Sequence, residues 1–336
     1  MRRVVSLTVL FLLAGFTLWA GGEAEGAAAG EEKLVLTFAH ETVEPHPVYL
    51  WGERFKENVE KMSGGKMEID IYPAAELGPA MENAQQAKMG TVDMANLSTP
   101  IVQFVDGFGV FDLPFIFKNR DHAYAVAWGE IGEELSRRLI DTHGLRVLTY
   151  YENGFRQITN NVRPIDKPED LKGLRIRTPS SEIRVRTFET FGAAASALSF
   201  PEVYGALQSG TFDGQENPII NIYSAQLNEV QKYLSITNHV YAFQKTLINE
   251  KKYQSLSQEQ KDVLHKAAQE ASEWVIQFIV DNETDMLNEM VEETGLKVNT
   301  ANNAAFRKVA LEQIWPNYTD RFGELIEKIN KVGEQY

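Results

Sequence analysis

Apolar positions between residues 33 and 241 switch repeatedly between two rhythms. Leu34, Leu36 and Phe38 alternate with their neighbours and predict a strand ending at Ala39-His40. Pro47 then opens a stretch in which Leu50/Trp51, Phe55, Val59 and Met62 recur at helical spacing until Ser63-Gly64-Gly65. Met67, Ile69 and Ile71 alternate with Glu68 and Asp70, which predicts a half-buried strand. A helix around Met81–Met89 stops at Gly90, a short strand runs from Val92 to Ala95, and Leu145–Tyr150 and Leu174–Arg177 read as further strands. Pro179 ends the last of these, Ser180 caps a helix carrying Ile183, Phe188 and Phe191, and Pro201 sits in the first turn of a helix ending near Gly210. Strand and helix in alternation predict an α/β chain with one or two mostly parallel sheets.

Beyond Tyr241 the rhythm becomes helical. Val263, Ala267, Ala271, Trp274/Val275, Phe278/Ile279 and Met286 sustain it from Ser257 to about Glu293, with Gly295 as the stop. Such a helix is more than about 50 Å long at about 1.5 Å per residue, too long for one lobe to cover. The alternative is two helices broken near Asp281-Asn282. More helix is expected from Asn302 onward. Two segments echo each other: Lys88-Met89-Gly90-Thr91-Val92-Asp93 and Gln208-Ser209-Gly210-Thr211-Phe212-Asp213. Each reads as a helix end, a glycine stop and a strand start, as two related lobes would supply. Four residues past each aspartate, Leu97 and Asn217 fall near carboxyl ends of strands, where open α/β sheets bind ligands.

The first residues change the picture of where the chain works. Arg2 and Arg3 precede an almost wholly apolar run from Val4 to Trp19, and Ala20-Gly21-Gly22 offers small residues for cleavage. This is the pattern of an export signal, followed by a Gly/Ala/Glu leader to Glu32. The alternative, an uncleaved anchor, is disfavoured because the run falls short of the roughly 20 apolar residues of a span. The absence of cysteine excludes disulfides and a cysteine-borne lipid anchor. The net charge of the 336 residues is −14, and losing Arg2, Arg3, Glu23, Glu25, Glu31 and Glu32 with the leader leaves −12. An acidic surface argues against nucleic acid and anionic lipid as partners. No P-loop, Gly-x-Ser-x-Gly or Gly-x-Gly-x-x-Gly is present, and His40, Glu41, Glu44 and His46 match no common zinc spacing. No catalytic residue, metal or cofactor is expected.

Several short motifs occur in a fixed order: Tyr72-Pro73, Glu76-Leu77-Gly78, Asp112-Leu113-Pro114-Phe115, Asn153-Gly154-Phe155-Arg156-Gln157, Leu171-Lys172-Gly173-Leu174-Arg175-Ile176-Arg177-Thr178-Pro179, Phe200-Pro201-Glu202-Val203-Tyr204-Gly205-Ala206-Leu207-Gln208, Asp213-Gly214-Gln215-Glu216-Asn217-Pro218 and Thr237-Asn238-His239. In this order the chain resembles, over essentially all of residues 33–336, the extracytoplasmic solute-binding proteins of tripartite ATP-independent periplasmic (TRAP) transporters, of the dicarboxylate-binding type. The resemblance implies a two-lobed periplasmic binding protein fold, with crossing hinge strands and a long helix spanning both lobes. It places lobe I at residues 33–154 plus about 243–282, and lobe II at about 155–242 plus 283–336. It implies a periplasmic monomer that binds a small carboxylate for a small and a large membrane subunit. Presentation of the solute to a membrane sensor would use the same fold, and an enzyme acting on sugar acids is the remaining alternative.

By the same resemblance Arg177 is the principal carboxylate anchor, with Arg156 and Asn217 beside it. Their chemistry agrees: a guanidinium meets a carboxylate through two parallel hydrogen bonds, and Asn217 is held extended before Pro218. The alternatives are a surface pair for Arg177, with an acid such as Asp170, and an internal salt bridge for Arg156. His40 is expected at the lip of the cleft, Ser180 and Ser181 at an anion-favouring helix start, Glu152 on a ligand hydroxyl or on Arg156, and Phe200 as an apolar wall. The resemblance departs from sialic-acid binders, which carry a glutamate where Leu97 precedes Ser98-Thr99-Pro100. A short dicarboxylate, a sugar acid or a keto acid remain open.

Overall fold

A computed structural model describes residues 33–336, so the expected export signal and leader lie outside the described residues. The chain runs β1 (Leu34–Ala39), α1 (Pro47–Met62), β2 (Met67–Tyr72), α2 (Ala80–Met89), β3 (Met94–Asn96), α3 (Arg120–Ala127) and α4 (Glu130–His143). It continues through β4 (Leu145–Asn160), β5 (Arg175–Thr178), α5 (Glu182–Thr190), β6 (Ala194–Ala197), α6 (Val203–Gln208), β7 (Gly214–Pro218), α7 (Ile219–Ser224), β8 (Tyr233–Ile236) and β9 (Tyr241–Asn249). It ends with α8 (Glu250–Ser255), α9 (Gln258–Thr294), β10 (Lys297–Thr300), α10 (Asn303–Val309) and α11 (Thr319–Gly333).

The strands order as β2-β1-β3-β9-β4-β7-β5-β6, with β8 joining β4 to β10. β1 is parallel to β2 and β3, and β5 is parallel to β6 and β7. Between these two parallel groups stand the antiparallel β4 and β9, so the sheet is mixed where the sequence pattern predicts a mostly parallel one. β4 pairs with β9 from Leu145 to Phe155, then continues from Arg156 as the partner of β7. It thus carries the chain from one group to the other.

α9 is unbroken over 37 residues, so the alternative of two shorter helices does not hold. Ser257 and Gln260 close a capping box at its start, and Gly295 takes the left-handed conformation at its end. It packs on α1 in the first group and α7 in the second. Trp51 fastens it at the first. The indole lies between Tyr151 and Phe55, with ring centroids 5.0 and 4.6 Å away, and donates to Ser272 Oγ of α9 at 3.1 Å. α11, expected in lobe II, packs on α3 and α4, and His122 of α3 bonds the Ile329 carbonyl at 2.9 Å.

The two echoing segments fold alike. Gly90 and Gly210 have φ of 79° and 69°. Thr91 N donates to Gln86 O at 3.0 Å and Thr211 N to Ala206 O at 2.9 Å. Asp93 accepts from Thr37 N of β1 at 2.8 Å, and Asp213 accepts from Arg175 N of β5 at 2.8 Å. Each aspartate ties the incoming strand to its parallel neighbour, so the short echo in sequence marks one unit built twice.

Three local expectations change. The strand expected over Leu145–Tyr150 continues to Asn160, with Asn153-Gly154 as a bulge inside it: Glu152 pairs with Phe243 and Gly154 with Ala242, leaving Asn153 unpaired. β9 falls where the sequence pattern turns helical, because its nine residues are buried on both faces and show no alternation. Ser181, one residue later than expected, caps α5 by accepting from Arg184 N at 3.4 Å. The bulge needs its glycine. Gly154 has φ 115°, and a Cβ there would come within 3.3 Å of Glu152 Oε1 and 3.4 Å of Pro218 Cβ. Gly154→Ala should lower stability by about 1–3 kcal/mol, read from the midpoint of urea unfolding; an unchanged midpoint would show that the bulge tolerates a side chain.

Candidate functional site

The loops that follow β1, β3, β5, β6 and β7 converge on one cleft of about 320 Å³, crossed by β4 and β9. It lies at carboxyl ends of parallel strands, the position that this topology favours. Its size suits a small solute.

The electrostatics of the cleft start from Glu216 of β7, which is wholly buried. Arg156 Nε donates to its carboxylate in a short contact, Arg156 Nη2 at 3.0 Å, and Arg184 Nη1 at 3.2 Å. His239 Nε2 lies 3.2 Å from Glu216, while its Nδ1 meets Thr237 Oγ1 at 2.8 Å. Burial lowers the His239 pKa against the pull of Glu216. The neutral ring can then accept from Thr237 and donate to Glu216. Burial alone would raise the Glu216 carboxyl, but Arg156, Arg184 and His239 outweigh it and hold the group well below the usual carboxylate range. Arg184 Nη2 also reaches Asp112 at 3.2 Å. Members of four sequence motifs therefore meet in one buried network.

Arg177 stands apart from it. Its side chain is 2 % exposed and lines the cleft. Nε donates to Leu198 O at 2.9 Å, and Nη2 donates to the same oxygen. No carboxylate among the described residues lies within 4.0 Å, so the pairing with Asp170 weighed from sequence is not formed. Burial pushes its pKa down to about 10, with Arg156 adding to the effect and Glu216, Glu41 and Glu202 opposing it. A guanidinium remains charged at that value. A buried cation without an acidic partner calls for an anion.

Of the residues singled out from sequence, Arg177, Arg156, Asn217, Ser180 and Phe200 line the cleft. Arg156 does so with its charge engaged by Glu216, the internal salt bridge that was its alternative reading. Asn217 Oδ1 accepts from Arg156 Nη2 at 2.9 Å, and its amide nitrogen donates to Gln215 at 2.6 Å. His40, Glu152 and Ser181 lie outside the cleft lining. His40 is turned into the core beside Phe38, with Nδ1 near Thr42. Glu152 is wholly buried behind the bulge, where it accepts from Arg120 Nε at 2.9 Å, from Tyr241 OH at 2.6 Å and from Tyr124 OH. Arg156, its alternative partner, makes no bond to it. Ser181 is occupied as the α5 cap.

Sequence reasoning missed Glu41, His46, Asn153 and Gln244, all of which line the cleft. Glu41 half-emerges just after His40, and its Oε2 accepts from Ala80 N at 2.7 Å. Asn153 stood in a quoted motif, and only the bulge aims it inward. Gln244 belongs to the strand that the periodicity did not disclose.

The comparisons with known proteins fit this geometry. The family model for bacterial extracellular solute-binding proteins, family 7 (DctP), matches residues 38–321. The chain belongs to that family. Among its relatives, the 2,3-diketo-L-gulonate-binding periplasmic protein YiaO of Escherichia coli is 32% identical over 286 residues, 85% of this chain and 87% of YiaO. The solved structure of the sugar acid binding protein DctPAm from Advenella mimigardefordensis, in complex with galactonate, is similar with a TM-score of 0.85 and 31% identity, covering 90% of this chain and 99% of that one. A TRAP periplasmic solute-binding protein from Sulfurospirillum deleyianum with bound succinate gives 0.83 and 31%, over 89% and 99%. The two-lobed fold of family 7, with its long helix and crossing strands, is the fold of this chain.

Two outcomes follow. Glu216→Ala leaves Arg156 and Arg184 short of negative charge in a buried site and should cost about 3–5 kcal/mol, seen as a lower urea midpoint; a loss below 1 kcal/mol would show that solvent or Asp112 supplies the charge. The second concerns pH. His46 caps α1 by accepting from Val48 N at 3.2 Å, which requires a neutral Nδ1. Burial pushes His46 down to about 3 and His40 to about 4, from 6.5 in the open chain. Below pH 6.5 the unfolded chain therefore binds protons that the folded one refuses. The stability that these rings contribute is complete above that value and is lost as pH falls through the folded pKa values. The unfolding midpoint should drop between pH 7 and 4, and less steeply in His40→Gln, which leaves the cap untouched; parallel profiles would remove His40 from the account.

Proposed function

We propose that this protein is a periplasmic binding protein that captures a small carboxylate-bearing solute, a sugar acid or a C4-type organic acid, and delivers it to the membrane subunits of a TRAP-type transporter. The observation that carries this reading is Arg177, a buried guanidinium lining the cleft with no acidic partner among the described residues. A ligand carboxylate supplies the missing charge and accepts from the guanidinium's fork, which Lys cannot reproduce with the same geometry. Membership of family 7 and relatives crystallised with galactonate or succinate support the same chemistry. The export signal expected in residues 1–32 supports the location.

The two lobes divide where β4 passes from β9 to β7, near Gly154, and where β9 begins, near residue 242. The protein works as a monomer and releases its solute unaltered. It is not an enzyme on this reading: what faces the cleft binds and orients, and the solute recovered after incubation should have an unchanged mass.

The test is a thermal-shift panel on protein unfolded and refolded to remove any carried-over solute. Carboxylates and matched neutral sugars are compared. At about 100 times the dissociation constant, binding adds about 2.7 kcal/mol of stability, several degrees for a chain of this size. Arg177→Ala should lose about 2–5 kcal/mol of binding energy, and Arg177→Lys most of that. Near-native affinity in Arg177→Ala would overturn the assignment.

A further inference from the structure

We propose that Asn153 and Gln244 read hydroxyl groups of the bound acid, so that the cleft selects a hydroxylated monocarboxylate over a dicarboxylate. This rests on the carboxylate-binding reading of Arg177. Asn153 and Gln244 are 2 % and 4 % exposed, and both line the cleft. Neither amide makes a side-chain hydrogen bond to the described residues, and Asn153 Oδ1 and Gln244 Oε1 are buried without a partner. Of the other amides at the cleft, Asn96 donates to Tyr151 OH at 2.9 Å, Asn217 is used at both ends, and Asn221 donates to Asn217 Oδ1 at 3.4 Å while its own Oδ1 is unpaired. Buried amides without partners are rare in folded proteins, and here two stand on adjoining strands.

The backbone puts them there. Asn153 is the extra residue of the β4 bulge, flanked by the Glu152–Phe243 and Gly154–Ala242 pairs. Bulges re-aim a side chain, and this one turns Asn153 to the cleft while Glu152 stays behind the strand. Gln244 is paired with Tyr151, close to the bulge on the neighbouring strand.

An amide offers donors and an acceptor together. A hydroxyl, itself donor and acceptor, satisfies both ends. An ionised carboxylate offers acceptors only and would leave the two amide oxygens unpaired. It would also bring a charge that the cleft does not balance. Arg156 and Arg184 are matched by Glu216 and Asp112, so Arg177 is the cation left for a ligand, and one carboxylate matches it. Glu41 lines the same cleft with its pKa raised by burial, and its carboxyl group can bond a hydroxyl. Lys245 follows Gln244 in β9 but does not line the cleft, and its ammonium donates to Phe243 O at 3.2 Å.

Calorimetry on the refolded full chain tests the proposal with three sets of ligands: aldonates and uronates of four to six carbons, the dicarboxylates succinate, fumarate, malate and glutarate, and hexanoate as an acid without hydroxyls. The tightest hydroxylated monocarboxylate should bind at least about 100-fold better than any dicarboxylate or hexanoate. Gln244→Leu and Asn153→Leu should each weaken it about tenfold or more, leaving hexanoate unaffected. A dicarboxylate that binds as tightly as the best hydroxy acid, and loses affinity in Arg177→Ala, would overturn this proposal and keep the carboxylate reading. Binding of no carboxylate, or binding indifferent to Arg177→Ala, would overturn both. Undiminished hydroxy-acid affinity in the two leucine variants, with their thermal midpoints retained, would remove the two amides from recognition.

Discussion

Glu216 decides which arginine is free. Three arginines and a histidine cluster around the cleft, yet this single buried carboxylate engages Arg156, Arg184 and His239 together. Asp112 completes the balance from the 3₁₀ turn Asp106–Asp112. A second buried acid beside Arg177 would silence the cleft, and a missing Glu216 would leave excess positive charge within it. The network also ties strands and helices that are distant in sequence: β4, α5, β7 and the turn before β9 all contribute a member. Its members cannot move independently without unpairing a buried charge, which fixes the wall against which Arg177 stands.

The doubled unit explains why the cleft has contributions from both halves of the chain. In each half an aspartate just past a glycine stop fastens a strand to its parallel neighbour: Asp93 to β1, and Asp213 to β5. The loops after those strands then emerge at corresponding ends. One set brings Glu41 and Ser98 to the cleft, the other Arg177 and Asn217. β4 and β9 run between the sets and present Asn153 and Gln244 from the middle. The unpaired cation therefore comes from one half, while Asn153 and Gln244 come from the crossing strands that belong to neither parallel group.

The sequence disclosed best what depends on local repetition. α1, β2 and α9 follow from apolar spacing and from their stops, because each buries one face. β9 was illegible for the opposite reason: a strand buried on both sides has no alternation to read. The continuation of β4 was hidden by Asn153-Gly154, a pair whose usual meaning is a turn. Its meaning here depends on Phe243 and Ala242 across the ladder. At the cleft, the ordered motifs brought Arg177 and Asn217 to notice, whereas side-chain direction was beyond reach. His40 and Glu41 are neighbours after β1, and only the latter lines the cleft. Glu152 and Asn153 divide in the same way on either side of a bulge.

If, on the proposed function, the two lobes close over the solute, the unpaired charge of Arg177 bears on that step. Enclosing a cation that lacks a partner carries a desolvation cost of several kcal/mol. A carboxylate that enters with it offsets that cost and gains two directed hydrogen bonds. The same groups thus disfavour closure over an unmatched arginine and favour closure over a bound acid. A ligand shifts such an equilibrium only by its differential affinity for the two forms. On the proposed reading Arg177 would supply that difference through charge, and Asn153 and Gln244, placed on the crossing strands, through hydroxyls. A neutral polyol would engage the amides and leave the arginine unmatched; a simple fatty acid would do the reverse. Only a solute with both features would satisfy Arg177, Asn153 and Gln244 together, so on the proposed reading the groups that set selectivity would also govern closure.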